Sequence, residues 1–156
     1  MVAKKLNRVN KGPIWENPHL KKIADPKKYE FDPKGGYLFY IDNETIDGIE
    51  FPYIPDSKGQ LLIASMTSNF PTRNFDVSKF GLIFGSAQKN IGPAGVCWVI
   101  VDENIIKPNP ATSVIADYKT TIEKNSLYNT GPTFAIFMMK EYAKFLIDTG
   151  GMDIWE

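Results

Sequence analysis

The chain alternates between short apolar runs and stretches rich in turn residues. Four runs have the length and composition of β-strands: Gly36–Ile41, Gln60–Met66, Phe80–Ala87 and Gly95–Asp102. The last three are apolar almost throughout, which is typical of strands that helices cover on both faces. The pattern therefore predicts an α/β protein built on a helix-flanked sheet.

The links between these runs limit how the strands can pair. Residues 92–95, Gly-Pro-Ala-Gly, join the third and fourth runs. A parallel crossover needs a dozen or more residues, so this link predicts antiparallel or offset neighbours. Residues 70–78, between the second and third runs, have room for at most one helical turn.

A helix is predicted from Thr133, because apolar residues then recur at the spacing of one helix face. That face comprises Phe134, Phe137, Met138, Tyr142, Phe145 and Leu146. Thr133 is expected to be the N-cap, and Gly150 with Gly151 to end the helix. Residues 1–34 are rich in Pro, Lys and Asn, which predicts an irregular segment ahead of an α/β portion at 35–156.

Composition and charge narrow the class of protein. The 156 residues suit one domain, and 43 % apolar with 23 % charged residues is ordinary for a globular protein. Eighteen Lys and Arg balance 18 Asp and Glu, so there is no basic excess for nucleic acid. The Lys-rich residues 1–34 indicate a solvated surface or, alternatively, a binding patch.

The sequence also bears on compartment and on thiol chemistry. No apolar run approaches the ~20 residues of a membrane span, and the basic N-terminus lacks the apolar region of a secretory signal. The single cysteine, Cys97, excludes a disulfide framework and is expected to be a buried structural thiol. A cytoplasmic protein that binds neither membrane nor nucleic acid is expected.

Several familiar kinds of site are absent from the sequence. The stretch Gly85–Gly92 lacks the spacing of a phosphate-binding loop, and no dinucleotide fingerprint follows a strand. The only histidine, His19, lies in the irregular segment, which argues against a serine hydrolase or a histidine metal site. We therefore expect no metal.

Lys89 is the one side chain whose position suggests chemistry. It follows the third predicted strand, where the small residues Gly85, Ser86 and Ala87 leave room for a planar ligand. In a low-dielectric cleft a lysine can present a neutral amine to a carbonyl, which is how a Schiff-base lysine works. The alternative is a solvated surface lysine.

Three blocks, residues 43–51, 68–96 and 126–137, closely resemble phosphoserine aminotransferase. The resemblance implies the aspartate-aminotransferase-like fold and its large domain. This chain would form an incomplete three-layer sandwich, with a mixed, mostly parallel sheet between helices. It also implies the cofactor pyridoxal 5′-phosphate (PLP), a homodimer, and amino transfer from glutamate to 3-phosphohydroxypyruvate. That reaction gives 2-oxoglutarate and the phosphoserine of serine biosynthesis.

The resemblance also assigns roles to individual residues. Lys89 matches the lysine that carries the cofactor as a Schiff base and moves the proton of the substrate α-carbon. Gln88 matches a residue at the cofactor phosphate, and Thr45 the threonine that hydrogen-bonds the phenolic oxygen. Asn129 and Thr130 match residues that reach the phosphate in the other subunit.

Two departures from the family weaken the implied activity. Ser65 stands where the family has the aspartate that keeps the pyridine nitrogen protonated, and a neutral serine cannot form that ion pair. Family members are also much longer, so the resemblance places this chain inside the large domain. We expect open sheet edges, an exposed core face and impaired activity. Three readings stay open: a truncated transaminase, a non-catalytic remnant, or an interaction subunit that pairs with a homologous full-length chain.

Overall fold

The computed structural model describes residues 23, 32, 34–110 and 112–151. All four predicted strands are confirmed, each within its predicted range, and a small hairpin adds two more. The strands are β1 (Tyr37–Ile41), β2 (Asn43–Glu44), β3 (Ile49–Glu50), β4 (Leu61–Ser65), β5 (Leu82–Ser86) and β6 (Cys97–Val101). The helices are α1 (Tyr118–Glu123) and α2 (Thr133–Asp148), with single 3₁₀ turns at Val77–Lys79, Glu103–Ile105 and Val114–Ala116.

The main sheet is mixed and mostly parallel. Its strand order is β1-β4-β5-β6, with β1, β4 and β5 parallel and β6 antiparallel to β5. The antiparallel pair confirms the prediction made from the Gly-Pro-Ala-Gly link. The connection from β4 to β5 contains only the 3₁₀ turn at Val77–Lys79, as the sequence predicts. Strands β2 and β3 form a separate antiparallel hairpin.

The core lies on one side of this sheet. Strand residues Tyr40, Leu62, Ala64 and Ile83 point to that side and are buried. Aromatic rings from the connections close over them: Tyr40 meets Phe51 edge-on at 5.0 Å between centroids, and Phe70 lies 4.1 Å from Trp98. Such pairs add packing energy beyond the apolar area they bury.

The opposite side of the sheet is open, so the prediction of strands covered on both faces is wrong for the described part of the chain. Tyr37, Phe39 and Ile41 are 48 %, 43 % and 52 % exposed. We call this side the open face; its apolar members are Tyr37, Phe39, Ile41, Leu61, Ile63, Leu82, Phe84, Val99 and Val101. The expected exposed core face is thereby confirmed.

Helix α2 confirms only part of the predicted buried face, because Leu146 belongs to that face and Ala135 does not. Ala135 and Leu146 are buried, whereas Phe134, Phe137 and Phe145 are 70 %, 50 % and 52 % exposed. Apolar residues surround much of the helix, so their spacing alone does not decide which of them are buried.

The sequence also predicts where α2 begins and ends, and the structure confirms only the end. The N-cap is Pro132 and Thr133 is the first helical residue, so the predicted cap at Thr133 is wrong. Gly150 and Gly151 follow the helix with φ of +108° and +75°, which confirms that they end it.

Other predictions concern residues outside the core. Cys97 is exposed because its side chain belongs to the open side of β6, so the expectation of a buried thiol is wrong. The irregular segment at residues 1–34, including His19, lies outside the described residues except for Ile23, Asp32 and Lys34. That segment and the boundary at residue 35 stay predictions. Within the described part, no helix has the length and apolarity needed to cross a membrane.

Candidate active site at the carboxyl edge of the sheet

The carboxyl ends of the three parallel strands meet at one edge of the sheet. Strands β1 and β4 end in register at Ile41 and Ser65, and β5 ends at Ser86. The segments that follow carry Thr45, Gln88 and Lys89, so four of the predicted site residues (Ser65 among them) come to this edge. In open α/β sheets this is where ligands bind.

Lys89 occupies a tight turn that its own backbone closes. The Ala87 carbonyl accepts hydrogen bonds from the amides of Ile91 (3.1 Å) and Gly92 (3.0 Å), and the Ala87 amide donates to Val96 (2.9 Å). Gln88 and Lys89 project from this lysine turn, residues 87–92, and both are exposed. The low-dielectric cleft expected around Lys89 is therefore not formed by the described residues.

The lysine turn is braced by the segment that follows β4, residues 66–73, which we call the hub turn. The Thr67 hydroxyl accepts from the Ser86 amide at 3.2 Å, and the Asn90 side chain donates to the Phe70 carbonyl at 3.0 Å. The Met66 amide also donates to the Phe84 carbonyl at 2.9 Å. Sequence reasoning missed both bracing side chains, Thr67 and Asn90.

The hub turn also holds Thr45, which lies at the tip of the β2–β3 hairpin. The Glu44 carboxylate shapes that tip by accepting hydrogen bonds from the amides of Ile46 (3.1 Å) and Asp47 (2.7 Å). The Thr45 hydroxyl then lies 3.0 Å from the Ser68 hydroxyl. Sequence reasoning missed Ser68 as well, although a run of hydroxyl residues directly after a strand was a usable signal.

A buried charge cluster fixes the base of the hairpin to the hub turn. Asp42 is 1 % exposed, and one of its oxygens accepts from Arg73 Nη2 at 2.7 Å. Arg73 Nη1 donates to the Phe51 carbonyl at 2.6 Å, and Asn69 donates to both Asp42 and Glu50. A carboxylate this deeply buried requires such charged and polar partners.

The cluster acts on a neighbouring tyrosine. Burial raises the pKa of the Tyr40 hydroxyl above its ordinary value, and the negative charge of Asp42 raises it further. Both causes disfavour the tyrosinate anion. Tyr40 therefore stays neutral beside Asp42.

Ser65 lies on the other side of the sheet from this cluster. It is half-buried at the end of β4, and its side chain shares the open side of the sheet with Ile41 and Phe84. Asp42 is buried on the core side, where Arg73 neutralises it. The Asp42 carboxylate therefore does not stand in for a carboxylate at position 65.

Asn129 and Thr130 lie apart from the other predicted site residues. Both are exposed in the segment before α2, where the Asn129 amide lies 3.5 Å from the Thr130 carbonyl. Within the described residues, this segment and the lysine turn share no hydrogen bond. Nor do the described residues contain a group of three or more His, Cys, Asp or Glu able to hold a metal.

Comparison with known families decides the classification. The sequence matches the aminotransferase class-V family over residues 7–156. The chain belongs to the class-V aminotransferase family. Its α/β sheet accordingly has the aspartate-aminotransferase-like fold of its structural neighbours.

Curated relatives of this class-V aminotransferase chain are phosphoserine aminotransferases. The protein from Laribacter hongkongensis is 46 % identical over 131 residues, which are 83 % of this chain and 36 % of that protein. The protein from Nitrosomonas europaea is 40 % identical, over 96 % of this chain and 43 % of that protein. The chain thus spans about 36 to 43 % of the length of these two relatives.

Solved structures give the same result. A PLP-bound phosphoserine aminotransferase from Trichomonas vaginalis is 34 % identical with a TM-score of 0.85, covering 96 % of this chain and 43 % of that one. The enzyme from Bacillus circulans subsp. alkalophilus is 36 % identical with a TM-score of 0.80, covering 84 % of this chain and 37 % of that one.

Proposed function

We propose that this chain carries the cofactor-lysine portion of a phosphoserine aminotransferase and holds PLP through Lys89. The observation that supports this is the position of Lys89 in a braced turn at the carboxyl edge of the sheet, the edge to which Thr45 and Ser65 also come. Membership of the class-V family and two phosphoserine aminotransferases at 46 % and 40 % identity support the same assignment. The substrates would be glutamate and 3-phosphohydroxypyruvate.

The chemistry of the side chains at this edge fits most of the cofactor. PLP, when bound, supplies an aldehyde and an electron-withdrawing ring. The primary amine of Lys89 suits the aldehyde, and it is the one base among these residues that can move a proton at the substrate α-carbon. Thr45 would orient the phenolic oxygen, and the amide of Gln88 would bind the phosphate. Asn129 and Thr130 would bind the phosphate held by a second subunit.

Ser65 does not fit the pyridine nitrogen. A serine hydroxyl forms one neutral hydrogen bond where a carboxylate would form an ion pair. Without the ion pair the pKa of the pyridine nitrogen would fall, and each unit of that fall corresponds to about 1.36 kcal/mol less stabilisation of the protonated ring. A loss of several units would slow proton removal from the α-carbon by orders of magnitude.

A second function is favoured by the open face and by the exposed Asn129–Thr130 segment. A chain with an uncovered apolar sheet face presents a surface typical of protein interaction. The chain would then serve as an interaction subunit that pairs with a homologous chain, with or without catalysis of its own.

Amino transfer from glutamate to 3-phosphohydroxypyruvate, measured with added PLP as phosphoserine formed, tests the catalytic proposal. We expect a rate orders of magnitude below that of a full-length relative, and no rate above background for Lys89→Ala. Lys79→Ala is the matched control, since Lys79 is an exposed lysine in the 3₁₀ turn that precedes β5, whereas Lys89 follows β5. A rate that survives Lys89→Ala would contradict the assignment, and a rate equal to the relative's would contradict the impairment.

A further inference from the structure

Two segments that carry predicted site residues are fastened to the same hub turn. The hairpin tip is held where the Thr45 hydroxyl donates to the Ser68 hydroxyl at 3.0 Å. The lysine turn is held where the Asn90 side-chain nitrogen donates to the Phe70 carbonyl at 3.0 Å. Both anchor points lie in one turn of backbone, which the Phe70 amide closes by donating to the Met66 carbonyl at 3.1 Å. The hub turn therefore links the hairpin tip to the lysine turn.

The hub turn is itself held on two sides. The Phe70 ring packs on Trp98 with 4.1 Å between ring centroids. At the other end of the hub turn, Arg73 donates to the buried carboxylate of Asp42 at 2.7 Å. Packed side chains and second-layer hydrogen bonds of this kind keep a site in one geometry. The Phe70 carbonyl is therefore a fixed acceptor for Asn90.

Asn90 is placed to control the lysine beside it. Ala87 and Ile91, on either side of the exposed Lys89, are 0 % and 8 % exposed. A lysine carries its amine on a long, flexible stem, so the backbone beneath it decides which space the amine can reach. The hydrogen bonds of the Ala87 backbone close the turn without the Asn90 side chain. What the bond from Asn90 to Phe70 fixes is the position of this backbone against the hub turn.

We infer that Asn90 is a positioning residue that holds the Lys89 amine in a set position relative to Thr45, so that one ligand meets both. Asn90 acts through the lysine turn and does not itself contact the ligand. The inference rests on the proposed function, in which that ligand is PLP. Its aldehyde and its phenolic oxygen are on neighbouring ring carbons, so Lys89 and Thr45 must keep a fixed spacing to meet both. A preorganised pair of groups binds such a ligand with less loss of freedom than a mobile pair.

Two aldehydes test this role on the whole chain. PLP carries the ring, the phenolic oxygen and the phosphate, whereas formaldehyde offers only the carbonyl carbon that an amine attacks. In each case the amine and the aldehyde lose water to form a C=N bond, which borohydride reduces to a stable C–N bond. Mass spectrometry then gives the modification of Lys89 divided by that of the exposed Lys79 in the same molecules. We call this quotient the lysine ratio.

We expect Asn90→Leu, which keeps the side-chain size but cannot donate, to lower the lysine ratio for PLP about threefold to tenfold, the range of one neutral hydrogen bond. The ratio for formaldehyde is expected to stay unchanged, because the amine itself is unaltered. Asn90→Gln keeps the amide donor and is expected to recover part of the PLP ratio. Asn104→Leu is the matched control, expected to change neither ratio. Asn104 follows β6 at the opposite edge of the sheet, where its amide donates to Asp102.

A second background separates positioning from folding. In Thr45→Val, the change Asn90→Leu is expected to lower the PLP ratio less than in the unchanged chain, because one of the two groups that it aligns is gone. Circular dichroism without ligand checks the fold of each variant. If Asn90→Leu does not fold, Asn90→Ala replaces it. Unfolding of both variants would show that the bond serves the fold, and would overturn the inference.

The outcomes separate the role of Asn90 from the proposed function. An unchanged PLP ratio in Asn90→Leu, an equal fall of the PLP and formaldehyde ratios, no recovery in Asn90→Gln, or an equal fall in the Thr45→Val background or in Asn104→Leu would overturn the role of Asn90 alone. In the unchanged chain, a PLP ratio no higher than the formaldehyde ratio would overturn the proposed function and this inference with it.

Discussion

At the scale of single residues, the site depends on side chains far apart in sequence. Lys89, Gln88, Thr45 and Ser65 are candidates because each lies in a recognisable block at or after the end of a strand, and their roles toward a cofactor stay predictions. Ser68 could not be predicted, since its hydrogen bonds join residues 25 and 23 positions away. The Asp42–Arg73 pair was missed for the same reason, because its partners are 31 positions apart. An aspartate after a strand is also usually exposed to solvent.

Arg73→Ala tests the buried pair. The buried Asp42 would lose the cation 2.7 Å away, and breaking a buried pair by removing one partner typically costs about 3–5 kcal/mol. We expect the free energy of unfolding, measured with urea, to fall by about 3 kcal/mol. The double change Asp42→Ala with Arg73→Ala is the control and is expected to be less damaging. Equal losses in the single and double variants would show that burial of Asp42 is not the cause.

Tyr40 gives a prediction on pH. Its folded-state pKa lies above the unfolded value of about 10, so folding favours the neutral hydroxyl. This contribution is complete below about pH 10 and is lost as the pH rises toward the folded-state pKa. Tyr40→Phe is therefore expected to flatten the alkaline fall in stability, measured by urea unfolding between neutral pH and about pH 11. An unchanged alkaline slope would contradict a buried, neutral Tyr40.

At the scale of elements, strands were predictable and packing faces were not. Apolar runs bounded by turn residues marked every strand of the main sheet, and link length gave the antiparallel pair. The same apolar patterns could not show that only one side of the sheet is covered. Nor could they show that α2 buries Ala135, which lies outside the predicted face, while the phenylalanines of that face are exposed. Which face packs is decided by neighbouring elements, not by the pattern of one element.

Strands β5 and β6 pack closely against the hub turn at Gly85, and a substitution there tests this packing. A Cβ there would lie 2.7 Å from Trp98 Cζ2 and 3.1 Å from the Thr67 Cα, so the ring and the hub turn would both have to move. Overpacking of this kind costs about 1–3 kcal/mol, and we expect Gly85→Ala to lower urea stability by that amount. Gly36→Ala is the matched control, because its Cβ would meet nothing within 4 Å. A Gly85→Ala variant as stable as Gly36→Ala would contradict the close approach.

At the scale of the whole molecule, this chain presents part of a larger family fold. It spans 36 % of the Laribacter hongkongensis relative, and the described residues leave one apolar side of the sheet uncovered. A surface of this kind binds apolar dyes or partners. The open face therefore distinguishes the chain from a sheet that helices enclose on both sides.

Dye binding measures the open face directly. We expect the chain to enhance the fluorescence of 8-anilinonaphthalene-1-sulfonate, and Phe39→Ser to reduce that enhancement, because Phe39 stacks on Phe84 at 6.1 Å within the face. Ile115→Ser is the control, since Ile115 is 84 % exposed in a 3₁₀ turn away from the sheet. Equal effects of the two changes would show that the dye does not bind this face.

The most direct measurement of the central claim is covalent trapping of the cofactor. The chain is incubated with PLP, reduced with borohydride and digested, and the modified lysines are located by mass spectrometry. We expect the adduct on Lys89 at substoichiometric PLP, its loss in Lys89→Ala, and its retention in Lys79→Ala. An adduct spread over exposed lysines such as Lys58 and Lys79, with Lys89 no more modified than they are, would contradict the assignment of Lys89.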